Sequence, residues 1–267
     1  KNILMCEPRY FDVDYIINPW MEDNIHTVDF AKALYQWYDL YDALKEDPHI
    51  NVIEIDPVKG LPDMVFTANG GFYDRGTNTV MLSSFANPER REEEAYFGSF
   101  FRKVLGYNVF QPQQDFEGEG DLLEGHDDIH WLGHGFRTKK NVRKLPSFNH
   151  LKIETLRLVD PRFYHLDTCF MPLDNMGGVL WYPGAFSPKS QDKIRKLTDP
   201  GLSIEVTESD ALTFCCNSVV LNGKVFMPSC DSVSEQLKDF GYKVQQFDMS
   251  EFIKSGGACK CLVMFLD

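Results

Sequence analysis

The chain is short of positive charge: 27 Lys and Arg stand against 40 Asp and Glu, a formal net charge of −13 over 267 residues. Such a balance repels phosphate backbones and anionic lipid, so nucleic acid and membrane surfaces are poor partners, whereas a small cationic ligand suits it. Long hydrophobic runs are missing as well, and none approaches the roughly 20 apolar residues that span a bilayer. The beginning lacks a charged-then-apolar leader, and Lys1 without a preceding Met suggests trimming. The seven cysteines lack the dense, regular spacing of a disulfide framework. They are expected to be reduced, buried thiols in a cytoplasmic protein. With 43% hydrophobic residues the chain can still bury a sizeable core, and no linker interrupts it, so a single domain over 1–267 is expected.

Four segments carry helical signals. Thr27 is placed to cap a stretch in which Phe30, Leu34, Trp37, Tyr41 and Leu44 recur at helical spacing, stopping before Pro48. Asn87-Pro88 and Ser187-Pro188 each pair a capping residue with Pro at the first helical position, and Gly106 marks a stop after the first of these. Ser232 and Glu235 form a capping box ahead of Gly241. Short strand-like runs lie between. A polar residue follows such a run at Asn69, Glu117, Asp167, Asn217 and Cys261, with steps by subtraction of 48, 50, 50 and 44 residues. Units of about 50 residues, each with short strands and a helix, predict repeated blades whose equivalent loops converge. The second unit is irregular, because its basic, Pro-interrupted segment 138–155 reads as an exposed loop.

Several of these residues could carry chemistry. "FYHLDTCF" (163–170) places His165 and Asp167 on one face if the run is an extended strand, either as a tuned acid–base pair or as a satisfied buried pair. "DFEGEGDLL" (115–123) holds Glu117, Glu119 and Asp121 among glycines, a pattern that suits a solvated acidic loop. Asp63 and Asn69 flank the apolar part of "LPDMVFTANGGF" (61–72). Arg137, Arg90 and Arg91 offer forks for a carboxylate. His126, His130 and His134 recur every four residues, but Gly125, Gly133 and Gly135 argue against the helix that would align them on a metal. Cys215-Cys216 with Cys259 and Cys261 make a poor thiolate site, since the usual two-residue spacer is absent.

Together these segments resemble the pentein superfamily of guanidine-modifying enzymes along essentially the whole chain. "HLDTCF" (165–170) is similar to its catalytic His-x-Asp motif, and "GGACKCL" (256–262) to the terminal motif in which a Gly pair precedes the nucleophilic cysteine. The resemblance implies a five-bladed α/β propeller. "INPWM" (17–21), "DMVFTAN" (63–69), "FEGEGD" (116–121) and "DPRFYHLDTCF" (160–170) look most like the arginine dihydrolase branch, where Asn occupies the position of Asn69 and the deiminases carry a carboxylate. By this resemblance Cys261 is the nucleophile, His165 the general acid and base, and Glu117 with Asp167 the carboxylates that hold a guanidinium. Asn69, Asp63 and Asp121 would also bind substrate, with Arg137 and Arg90 clamping its carboxylate. Neither metal nor organic cofactor is implied. The expected reaction converts arginine to ornithine, two ammonia and CO₂ through a thiouronium. A dimethylarginine hydrolase, a deiminase releasing citrulline, an amidinotransferase and a non-catalytic arginine sensor are the competing readings. The partner is a small guanidino compound, and the oligomeric state is left open, a homo-oligomer included.

Overall fold

A computed structural model describes residues 1–173 and 177–267, and within them every sheet has three strands wired alike. A first strand runs antiparallel to a second, and the second runs parallel to a third. The chain divides into two units, Lys1–Glu119 with Met249–Asp267, and Gly120–Asp248.

In the first unit β1 (Asn2–Cys6) lies parallel to β2 (Asn51–Ile55), and β3 (Gly71–Asp74), β4 (Thr79–Leu82) and β5 (Asn108–Phe110) form the next sheet. A tight turn cannot join parallel strands. Helix α1 (Phe30–Lys45) therefore carries the chain from β1 to β2, and α2 (Glu93–Lys103) from β4 to β5. Trp37, Leu40, Tyr41 and Leu44 give α1 its buried stripe. Its cap is Asp29, which accepts from the Lys32 N–H at 3.1 Å, and not the expected Thr27, whose hydroxyl turns back to Asn24. Leu4, Val80, Leu82, Phe97, Phe101 and Met264 share one core.

The second unit repeats the pattern three times among its described residues. Its sheets are β6 (Leu122–Glu124), β7 (Ile129–His134) and β8 (Lys152–Arg157); β9 (Phe170–Pro172), β10 (Val179–Trp181) and β11 (Ile204–Glu205); and β12 (Val219–Leu221), β13 (Lys224–Pro228) and β14 (Lys243–Phe247). Helix α3 (Pro188–Leu197) bridges β10 and β11, and α4 (Asp231–Asp239) bridges β13 and β14. Between β7 and β8 two short 3-10 turns, Lys140–Lys144 and Pro146–Phe148, replace the helix, in keeping with the irregular 138–155 segment. The Ser232–Glu235 capping box does not form. Cys230 is the cap residue of α4, so Ser232 sits inside the first turn and donates to Asp210 at 2.6 Å. The fifteenth strand, β15 (Met264–Phe265), belongs to the first unit and completes the sheet of β1 and β2.

The five repeated polar residues do not follow strands, as the sequence suggested. Each lies in a turn ahead of the first strand of its sheet: Asn69 before β3, Glu117 before β6, Asp167 before β9, Asn217 before β12 and Cys261 before β15. The apolar run before Asn69 folds as 3-10 turns, Pro62–Val65 and Thr67–Gly70, that are buried all round. Periodicity cannot separate such a segment from a buried strand. Within each unit neighbouring turns interlock. The Cys261 carbonyl accepts from the Ala68 N–H at 3.1 Å, and the Asp167 carbonyl from the Asn217 amide at 3.0 Å.

Candidate active site

The first unit brings together Cys261, Asn69, Glu117, Asp63 and Arg90, all buried. The Cys261 turn is pinned from two sides. Thr67 Oγ1 donates to both the Leu4 and Leu262 carbonyls, at 2.8 and 2.9 Å, so the turn holding Asn69 and the one holding Cys261 share an anchor. Gly256 has φ +81°, and a Cβ on Gly257 would meet the Phe66 ring at 2.5 Å. The Gly pair ahead of the cysteine is thus a steric requirement. Cys259 is fully buried, and burial pushes its thiol far up, which keeps it protonated.

Asn69 sits on a buried charge network. Arg90 Nη1 donates to Asn69 Oδ1 at 2.7 Å. A guanidinium has only donors, so this contact fixes the amide with its oxygen toward Arg90 and its NH₂ on the far side. Asn69 Nδ2 is buried and has no hydrogen-bond partner among the described residues. Arg90, expected as a clamp for a substrate carboxylate, commits four of its five N–H groups internally. It gives Nε to Glu93 at 2.9 Å, Nη2 to Glu93 at 2.8 Å and to the Asp63 carbonyl at 3.0 Å, and Nη1 to Asn69. Asp63 is likewise occupied, its carboxylate accepting from Tyr15 at 2.8 Å and Ser255 at 3.1 Å. Burial works against the Arg90 charge, but Glu93 and Asp63 outweigh it and raise its pKa. Burial pushes Glu93 up to about 7 against the pull of Arg90, with Asp63 and Glu117 adding to the rise.

The acidic loop is not solvated. Glu117 and Asp121 are fully inaccessible and Glu119 nearly so. Glu117 accepts from the Ala86 N–H at 3.1 Å. Gly118 has φ +57°, and a Cβ there would fall within 2.8 Å of the Ala68 and Gly71 backbone, so the Glu-Gly step admits no side chain. Glu119 pairs with Lys260 at 2.8 Å and caps the Phe265 N–H, tying this loop to the residue beside Cys261. Neither contact was foreseen. The signal was a lone lysine between two buried cysteines, a position that asks for a partner.

The second unit brings together His165, Asp167 and Asp121, with Arg137 beside them. His165 is extended, but Asp167 lies in a 3-10 turn, Leu166–Thr168, so the two do not share a strand face. The Thr168 hydroxyl closes that turn on the His165 carbonyl at 2.7 Å, an alternative to the sheet ladder that Thr offers readily. Asp121, expected to bind substrate, is fully buried and accepts from the Leu166 N–H at 3.1 Å, fixing the start of the same turn. The Arg137 guanidinium lies 4.7 Å over the Tyr164 ring, which in turn packs 4.8 Å from the His165 ring.

His126, His130 and His134 do not form a helical face, since His130 and His134 lie in β7. Among the described residues the group of three metal-capable side chains is Asp12, Asp14 and His26, two of them exposed, and His26 already pairs with both carboxylates.

Residues 12–266 match the family described as N,N dimethylarginine dimethylhydrolase, eukaryotic. The chain is 44% identical over 266 residues to the bifunctional arginine dihydrolase/ornithine cyclodeaminase AgrE of Nostoc, covering 98% of this chain but 37% of that protein. It is 36% identical to the N(G),N(G)-dimethylarginine dimethylaminohydrolase of Mycobacterium tuberculosis, covering 99% and 85%. The crystal structure of the N-terminal domain of the cyanobacterial arginine dihydrolase ArgZ, bound to product, superposes with a TM-score of 0.94 at 40% identity, covering 100% of this chain and 97% of that one. The expected five-unit α/β propeller is the fold. The chain belongs to the dimethylarginine dimethylaminohydrolase family of the pentein superfamily.

Proposed function

We propose that this chain is a cysteine-dependent hydrolase that converts arginine to ornithine, two ammonia and CO₂. The chain spans 37% of the length of AgrE, and this reading concerns the part the two share. In it the Cys261 thiolate attacks the guanidinium carbon, and His165 protonates the departing ammonia. Water, deprotonated by His165, then displaces the sulfur from the thiouronium and leaves citrulline. A second round on the ureido carbon expels the second ammonia. Hydrolysis of the resulting thiocarbamate gives a carbamate, which falls apart to ornithine and CO₂. Glu117 and Asp167 accept from the guanidinium in the first round, and Arg137 holds the substrate carboxylate.

The observation that carries the dihydrolase reading is the orientation of Asn69. With Oδ1 on Arg90, the side chain offers only N–H donors. A guanidinium has no acceptor to meet them, but a ureido oxygen does. The site therefore favours the intermediate over its release. The sequence alone left this amide free to donate or accept; Arg90 removes the second option.

A citrulline-releasing dimethylarginine hydrolase is the second reading, favoured by the family match and the mycobacterial relative. Product analysis on L-arginine separates the two: two ammonia per arginine with ornithine supports the dihydrolase, whereas turnover of methylated arginine to citrulline alone overturns it. One catalytic domain, a cytoplasmic setting and independence of metal and organic cofactors complete the proposal. Among the described residues no helix is long and apolar enough to cross a membrane.

A further inference from the structure

Among the described residues Glu93 hydrogen-bonds Arg90, and it is fully buried in the first turn of α2. Its two oxygens take Arg90 Nε and Nη2 side by side, at 2.9 and 2.8 Å, a bidentate grip that fixes the guanidinium plane. The remaining nitrogen of that plane, Nη1, is the one that meets Asn69. A buried acid and a buried base held this way are costly to place, and Arg90 gains a further stacking contact, 4.4 Å over the Phe85 ring. A plain asparagine site in a turn would need none of this.

We infer that Glu93 is a positioning residue: through Arg90 it sets the amide of Asn69 with its donors toward the ligand, and so decides whether the ureido intermediate is retained for a second hydrolysis or let go. The inference rests on the dihydrolase reading. If Glu93 is neutralised, Arg90 loses its anchor, and the Asn69 amide can rotate to present either its oxygen or its nitrogen. A guanidinium still finds its carboxylates, so the first round suffers less than the second. The charged and titratable groups facing Glu93 are Arg90, Asp63, Glu117, Tyr15 and Cys6.

The test is the partition of products from L-arginine in wild type, Glu93→Gln and Glu93→Asp. Glu93→Gln should raise the citrulline-to-ornithine ratio about tenfold or more, the worth of one misdirected buried hydrogen bond, while KM for arginine moves less. Glu93→Asp keeps the charge and should restore part of the partition, which loss of packing alone would not explain. An unchanged ratio in folded Glu93→Gln overturns the inference while leaving the dihydrolase reading intact. A wild-type enzyme that yields no ornithine removes the reading itself. Should Glu93→Gln not fold, citrulline inhibition of the wild type from pH 6 to 8 provides the check. Binding that weakens as pH falls below about 7 supports the inference, and pH-independent binding overturns it.

Discussion

A Cβ on Gly257 would stand 3.2 Å from the Cβ of Cys261 and 2.5 Å from the ring of Phe66. The ring has little room to retreat, packed edge-on against Phe11 at 5.7 Å and Phe252 at 6.4 Å. Gly257→Ala should therefore shift the Cys261 turn rather than the ring. We expect a folded protein, destabilised by about 1–3 kcal/mol from overpacking, with turnover reduced at least tenfold. Thermal melting beside a steady-state assay checks this, and wild-type turnover would show that the turn has slack.

Asn69→Asp places a carboxylate against Arg90. One oxygen keeps the ion pair, and the other presents an acceptor where the amide presented donors. Citrulline should become the main product, with retention of the intermediate falling by roughly one to two powers of ten, the 1–3 kcal/mol of an unmatched buried acceptor. Chromatographic separation of ornithine from citrulline decides it. Ornithine as the sole product sinks this account.

The two neighbouring cysteines should separate cleanly under mutation. Cys261→Ser should abolish turnover, because a hydroxyl lacks the nucleophilicity of a thiolate. Cys259→Ala removes a thiol that burial keeps protonated and should leave activity within about threefold of wild type. Loss of activity in both would mean that the second thiol takes part.

Glu93 also predicts a pH dependence of stability. Its folded-state pKa is raised from 4.5 to about 7. Below 4.5 the carboxyl is protonated in both folded and unfolded chains, and its contribution is full. As pH rises through 7 it must ionise while buried, and on the order of 3 kcal/mol is lost. Wild type should lose stability relative to Glu93→Gln from pH 4.5 to 7.5 by urea titration. A relative gain over this range would reverse the sign and refute the assignment.

How much of this was written in the sequence depends on the kind of residue. The spacing of Asn69, Glu117, Asp167, Asn217 and Cys261 was legible because repetition marks equivalent positions whatever the local structure. Their local structure was not, because a buried 3-10 turn and a buried strand look alike in hydrophobicity. Gly256, Gly257 and Gly118 were visible as motif letters, but only backbone angles and close approaches show what each glycine avoids. Arg90 stands at an ordinary charged helix start, where an i,i+3 partner such as Glu93 is common on surfaces. Nothing local says that this one is buried. The same blindness hid Lys260 and Glu119, which are 141 residues apart and find each other only in the fold.

The sheet that completes the first unit joins the two most distant strands of the chain, Ile3 facing Phe265 and Leu4 facing Met264. Closing a loop of that length is among the slowest steps available to a folding chain. Thr67, which holds the Cys261 turn, bonds one carbonyl from each side of that closure, Leu4 and Leu262. The turn that holds Cys261 is thus anchored to carbonyls 258 residues apart (262 minus 4), so its geometry is set only once that long-range pairing has formed.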